Sequence, residues 1–401
     1  MEDADIYKHH QTYDEMQNSI VSVIESELKQ AILKSPFVGL MADETSDIVV
    51  NKKLIIYVRL IENGVAETKY ACNVKVKDGK AETIFNVLLK FCNDMEIDIN
   101  KVSGLGVDGA SVMLGHLTGV GARMQQLNEC IILVHCIAHR LYLATARAAN
   151  TIKYLVTFQK VINQLYAFFS TSAVRYEKLR AMVDVLDVEI KKLKQPSSAR
   201  WLSVHGALDA ILHDYEHLVL VFDQISTTPS SGDAKGKAKA QGLWKYVRNV
   251  KCLCTVALLV DALGIITILS KQFQSEQLNL GKIHPSIQAA LSSLEIMKTV
   301  DGSNLSKVKK ELIYDTTTGV IKFNNVLLYD NPSKQTEFQN LRNNYLSNLI
   351  QYIKERFPDT SLDLLTCFDI TLNPQRIPSK ANPADLAKHG KIEFLKLLDF
   401  F

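Results

Sequence analysis

Very little in these 401 residues leans to one side. Lys and Arg total 46 against 43 Asp and Glu, a formal net charge of +3. No whole-chain basic field therefore argues for nucleic acid, and any such case must rest on motifs or on a local groove. With 18 Gly and 9 Pro, the chain lacks the bias of collagen or of extended linkers. Its 47% hydrophobic and 22% charged residues fit a globular chain with room for two or three domains. The seven cysteines are odd in number and scattered, which excludes a dense disulfide framework and predicts free thiols in a reducing, intracellular compartment. The opening Met1-Glu-Asp-Ala-Asp is acidic with no apolar core behind it, so neither a secretory leader nor a transit peptide is expected. No internal repeat is present.

Long apolar runs are also scarce. One segment, Cys252 to Ser270, holds 19 residues with Asp261 as its only charge, just long enough to span a bilayer. A carboxylate at mid-span is costly in lipid, and the neighbouring segments have ordinary helical periodicity. A buried helix of an all-helical domain is therefore expected, with no membrane partner.

What is present is a change of periodicity along the chain. After a polar, helical start over 1–35, three stretches read as strands: Phe37 to Ala42, Lys53 to Leu60 and Thr68 to Val76, the last two separated by the turn signal Asn63-Gly64. Lys80 to Asn93 places Ile84, Val87, Leu88 and Phe91 at helical spacing. A strand over Val102 to Val107, a helix over Leu114 to Leu127 and a strand over Cys130 to His135 follow. The order β-β-β-α-β-α-β predicts an α/β core with a mixed five-stranded sheet over 36–150.

Helical periodicity then dominates: Ala138 to Phe169, Arg175 to Leu193, Trp201 to Ile225, Leu243 to Phe273, Ser286 to Met297 and Gln335 to Phe357. These predict a large all-α domain over 151–368, inserted after the core. Ser226 to Gly242, small, polar and dotted with lysine, reads as a flexible loop. Residues 369–401, with Asn373-Pro374, Pro378 and Asn382-Pro383, read as a linker and a terminal helix.

Two carboxylates stand where chemistry is possible. Asp43 follows the first apolar run and Asp108 follows the fourth strand. If those strands are parallel neighbours, both side chains leave the same edge of the sheet and can hold hard divalent cations through oxygen. Two Mg²⁺ ions about 3.5–4 Å apart would clamp an in-line phosphoryl displacement. The plainer alternative is that each Asp caps a turn or a helix. Trp201 beside Arg200 can hold an unstacked base and its phosphate, or can simply be core. Lys191, Lys192 and Lys194, and Lys235 to Lys239, can touch phosphates or form solvated faces. Gly104-x-Gly106-x-x-Gly109, with Glu129 downstream, formally matches a dinucleotide fingerprint, but it does not open a β-α-β unit. Cys136-x-x-His139 has no second Cys/His pair at finger spacing, and Cys252-x-Cys254 sits inside the apolar run, so no structural zinc is expected.

The segments MADETSD at 41–47, GLGVDGASVMLG at 104–115, HCIAHRLYLA at 135–144 and SARWLS at 198–203 occur in the order and spacing of hAT-superfamily DNA transposases. The chain most resembles the domesticated and zinc-finger-associated animal members, over roughly residues 36–400. The resemblance implies an RNase H-like core with a helical insertion. It also implies Asp43 and Asp108 as the first two acids of a DDE site that uses Mg²⁺ or Mn²⁺. It implies a supporting role for Cys136 and His139, a base-holding role for Arg200 and Trp201, DNA as partner, and a nuclear location.

The sequence also departs from that pattern. The family's third acid, a Glu in a Ser-x-x-Glu-Arg segment within a dimerisation region, has no counterpart in these 401 residues, and Glu393 has the wrong flanks. No Cys pair precedes Phe37, so the usual N-terminal zinc finger is not expected. The resulting expectation is a transposase-derived protein that retains the scaffold and is catalytically inactive as given. Two rivals are an active DDE recombinase fragment and a protein-interaction module or homo-oligomer built on apolar helices near 252–270 and 386–401.

Overall fold

A computed structural model describes residues 10–46, 51–177, 201–227, 234–275, 280–315, 317–318, 320–330, 332–373, 376–377, 382–386 and 388–400. The chain divides into two compact units, Met1–Arg140 and Leu141–Phe401.

The first unit runs α1 (His10–Lys34), β1 (Val38–Ser46), β2 (Lys52–Glu62), β3 (Val65–Lys75), α2 (Ala81–Asp94), β4 (Val102–Val107), α3 (Ser111–Leu114), α4 (Val120–Leu127) and β5 (Ile132–His135), ending in the first turn of α5 (Ile137–Asn150). The sheet order is β3-β2-β1-β4-β5. The β1–β2 and β2–β3 pairs are antiparallel, and the β1–β4 and β4–β5 pairs are parallel. The β-β-β-α-β-α-β order read from periodicity is the order found. The β2–β3 hairpin turns at Asn63 (φ 52°) and Gly64 (φ 78°), the two left-handed positions that a tight primed turn demands.

Alternation explains the layers. Leu54, Ile56, Val58 and Leu60 of β2 are buried, and they share one cluster with Leu28 and Ile32 of α1 and Ile84, Leu88 and Phe91 of α2. Burying each such side chain contributes roughly 1.5–3 kcal/mol. The helix expected over Leu114 to Leu127 is divided, because Gly115 and Gly119 carry a turn between α3 and α4: Gly115 N–H donates to Ser111 O at 2.8 Å and Gly119 N–H to Gly115 O at 3.0 Å.

The second unit is helical: α6 (Lys153–Ser170), α7 (Trp201–His213), α8 (Tyr215–Thr227), α9 (Ala234–Val247), α10 (Val250–Phe273), α11 (Ile283–Ile296), α12 (Ser303–Glu311), α13 (Pro332–Arg356), α14 (Asp359–Leu372), α15 (Pro383–Leu386) and α16 (Lys391–Phe400). It also holds a small antiparallel sheet that periodicity does not show, formed by β6 (Leu312–Tyr314), β7 (Ile321–Phe323) and β8 (Val326–Leu328). Three-residue strands are too short to display alternation. The loop expected over Ser226 to Gly242 is corrected as well. From Ala234 onward the Ala/Lys-rich stretch is the start of α9, since both are good helix formers and Ala240, Leu243 and Val247 supply a buried face. Residues 228–233 lie outside the described residues, as do Lys191, Lys192 and Lys194.

Among the described residues α10 is the one helix long and apolar enough to cross a membrane. It is mostly buried, with Leu253, Ala257, Leu259, Leu263 and Ile266 fully enclosed and Ile268 left exposed, as expected of a helix without a polar face in a globular unit. α7, α11, α12 and α13 pack around it. Asp261, the charge at its centre, caps α12. Its Oδ1 accepts from Asn304 N–H at 3.0 Å and Asn304 Nδ2 at 2.7 Å, and its Oδ2 accepts from Leu305 N–H at 3.0 Å.

Candidate functional site

The parallel ladder between β1 and β4 pairs Gly39 with Gly104, Leu40 with Leu105 and Met41 with Gly106. The paired register ends there; Asp43 lies two residues further along β1, alternating with the buried Leu40 and Ala42, and Asp108 directly follows the last residue of β4, so both residues belong to the same end of the parallel pair. The parallel arrangement on which the two-carboxylate reading depended is thus present. One detail differs: Asp43 lies inside β1 rather than just after it. The cause is β2, which is long enough to pair antiparallel with Asp43, Glu44, Thr45 and Ser46 beyond the end of the β4 ladder.

Asp43 is exposed and Asp108 half-buried. Asp108 Oδ1 also accepts from Ala110 N–H at 3.1 Å, the turn-capping role of the plainer reading. A carboxylate has two oxygens, so holding that turn with one leaves the other able to accept a further partner, and the two readings are compatible.

β5 and α5 close the site on the far side of β4. Val107 pairs with His135, and Cys136 N–H donates to Val107 O at 2.9 Å, which ties the start of α5 to the residue before Asp108. The His135 and His139 rings stand 5.7 Å apart between centroids. Cys136 is exposed and His139 half-buried. The Cys-x-x-His pair therefore belongs to the junction that fixes the end of β4. Arg200 and the side chain of Trp201 lie outside the described residues, and Trp201 is the first residue of α7 in the second unit.

The glycines of the formal dinucleotide fingerprint have other uses. Gly104 and Gly106 lie within β4, where an added Cβ would come 3.4 Å from Ile132 O and 3.1 Å from Met41 Cγ respectively. At Gly109 a Cβ would collide with the His135 imidazole. These residues let strands and side chains approach closely. They do not form a phosphate-cradling turn, so the dinucleotide reading fails on geometry.

Among the described residues no group of three or more His, Cys, Asp or Glu is arranged to hold a metal ion. Carboxylates are the donor type that a hard cation keeping most of its water takes, as Mg²⁺ does with one or two of them. Asp43 and Asp108 alone do not make a three-ligand site. Cys252 and Cys254 are buried in α10, and that burial pushes both thiols up to about 12. They stay protonated at neutral pH, which suits packing and not metal ligation. Iodoacetamide on the native protein is expected to label the exposed Cys130 and Cys136 and to reach Cys252 and Cys254 only after denaturation. Rapid native labelling of either, read by peptide mass spectrometry, would contradict this burial.

Sequence reasoning used β2 only for its buried half. Its other half, Lys53, Ile55, Tyr57, Arg59 and Ile61, shares a face with Asp43 through the register Asp43–Ile55 and Met41–Tyr57. The signal was available in the strict alternation of the strand.

Residues 2–119 match the family model described as ZMYM1/FAM200, RNase-like domain (DUF4371). The matched segment contains Asp43 and Asp108 and ends before β5. With the five-stranded mixed sheet, the match makes the first unit an α/β, RNase-like core, accompanied by a helical unit.

Proposed function

We propose that this chain is a hAT-transposase-derived nuclear protein whose first unit serves as a nucleic-acid scaffold, with Asp43 and Asp108 as a weak divalent-cation site. What supports the reading is the parallel β1–β4 pair of an RNase-like sheet, whose register runs toward the end at which Asp43 and Asp108 lie. A Mg²⁺ or Mn²⁺ ion bound there supplies positive charge for a phosphate oxygen. The chain's own residues supply the rest. Asp43 and Asp108 present oxygens, Ala110 N–H orients the Asp108 carboxylate, and the Cys136–Val107 hydrogen bond fixes the strand end from which Asp108 departs. No third acid in a Ser-x-x-Glu-Arg setting joins them within these 401 residues, and a site short of one ligand loses much of its transition-state charge stabilisation.

Titration with Mn²⁺, followed by water-proton relaxation, tests the site. Asp43→Asn and Asp108→Asn are each expected to weaken binding by about tenfold or more, while a control such as Glu96→Gln leaves it unchanged. Equal binding by all three variants rejects the cation site. Incubation with a terminal-inverted-repeat duplex and Mn²⁺ is expected to leave the DNA intact. Metal-dependent nicking that Asp108→Asn abolishes would instead establish the recombinase reading.

A further inference from the structure

β5 is the shortest strand of the five-stranded sheet, and its last residue lies against the turn that carries Asp108. Alternation along Ile132–His135 puts Leu133 and His135 on one face of the strand. Leu133 packs against the buried core of the first unit, so the same period sets a half-buried imidazole at the next position of the core face. The parallel register pairs Leu133 with Leu105 and His135 with Val107, and both of those partners are buried. A strand position of this kind ordinarily holds an apolar side chain, and a histidine there needs a reason.

The reason lies two residues beyond Val107. A Cβ built on Gly109 would overlap Nε2 and Cε1 of His135 and would lie 3.3 Å from Cδ2, so the imidazole occupies the volume of the missing side chain. Gly109 is not among the glycines with positive φ. Close approach, and not backbone conformation, is what a glycine provides there. The turn has two other ties: Asp108 Oδ1 accepts from Ala110 N–H at 3.1 Å, and Val107 O accepts from Cys136 N–H at 2.9 Å. The first bond is internal to the turn, so it orients the carboxylate without fixing the turn against the sheet. The second holds the residue before Asp108. The His135 ring meets the residue after it, and the His139 ring stands 5.7 Å from that ring between centroids. A path of contacts therefore leads from the first turn of α5 through His135 and Gly109 to Asp108. A ligating group must be held within about 0.5 Å of its working position, and a carboxylate bonded to its own turn moves wherever the turn moves.

We propose that His135 is a positioning residue for Asp108: its ring, wedged against Gly109, sets where the turn between β4 and α3, and with it the Asp108 carboxylate, stands at the end of the sheet. The proposal rests on the cation-site reading and adds to it a residue that does not itself touch the ion.

The test is Mn²⁺ titration of the full chain, followed by water-proton relaxation, with circular dichroism checking that each variant is folded. His135→Ala is expected to weaken binding about tenfold, and His135→Phe, which keeps a flat ring, to retain it. Gly109→Ala pushes on the ring from the other side and is expected to weaken binding as His135→Ala does. In the His135→Ala background, where the ring is gone, the same change at Gly109 is expected to add no further loss. His135→Ala is also expected to add little in the Asp108→Asn background, because the ring acts through that carboxylate. A merely structural weakening would lower the affinity by the same factor in both backgrounds. Unchanged binding in His135→Ala, an equal loss with alanine and phenylalanine, or a fully additive loss in Asp108→Asn overturns the proposal. If the unmodified chain binds Mn²⁺ and Asp108→Asn weakens it while His135→Ala does not, the cation site stands without His135. If the unmodified chain binds none, both fall.

Discussion

Replacing Arg342 with Ala is expected to destabilise the helical unit by about 3 kcal/mol, the loss typical of removing a charged hydrogen-bond donor from buried acceptors. Arg342 sits in α13 and is 3% exposed. Its Nε donates to Met297 O, its Nη1 to Asp301 Oδ1 and its Nη2 to Val300 O, each at 2.7 Å. The planar guanidinium thus closes the C-terminal end of α11 and fixes the segment leading to α12. Without it, two carbonyls lose a charged donor in a site that water enters poorly. Asp301 keeps Lys309 Nζ at 2.8 Å, so the loss falls mainly on the carbonyls. Arg342→Lys is expected to recover little, because an ammonium cannot reach three acceptors held in one plane. The measurement is urea unfolding of the full chain, following the transition of the second unit separately, since two compact units need not unfold together. A loss below 1 kcal/mol for the alanine variant, or full recovery by lysine, would show that the three bonds are not what holds the segment.

The second large effect joins Asp261 to Gly302. An alanine Cβ at Gly302 would lie 2.5 Å from Asp261 Cγ, so Gly302→Ala is expected to cost about 3 kcal/mol through forced overlap. Asp261→Ala is expected to cost about 2 kcal/mol by uncapping α12. The two sites share one small volume, and the double variant should therefore lose clearly less than the two single losses combined, with a coupling of about 1 kcal/mol or more. Strict additivity would mean that Asp261 does not lie against Gly302 in solution. The pair also explains why a 24-residue apolar helix contains a carboxylate. Asp261 is the N-terminal cap of another helix, supplied from a distance in sequence, and no membrane argument is needed.

These two sites mark a boundary in what local pattern can reveal. The core strands and their order were legible because alternation in Leu54, Ile56, Val58 and Leu60 and the turn at Asn63-Gly64 are local signals. The carboxylate pair was half-legible. Asp43 and Asp108 each stand out beside an apolar run, but their lying at the same end of the sheet depends on β1 and β4 being parallel neighbours. The small β6–β7–β8 sheet was not legible, because three residues carry no period. The start of α9 was misread because a lysine-dotted, alanine-rich stretch looks polar and simple until Ala240, Leu243 and Val247 find a surface to bury against.

By itself, then, the sequence determined the α/β order of the first unit, the helical character of the second and the residue types at the strand ends. Those follow from side-chain period and turn chemistry, which act over a few residues. Only the tertiary structure decided that β1 and β4 are parallel neighbours with Met41 opposite Gly106, and that Asp261 reaches α12. Register and long-range capping are set by which surfaces meet, and no local window of the chain contains both partners.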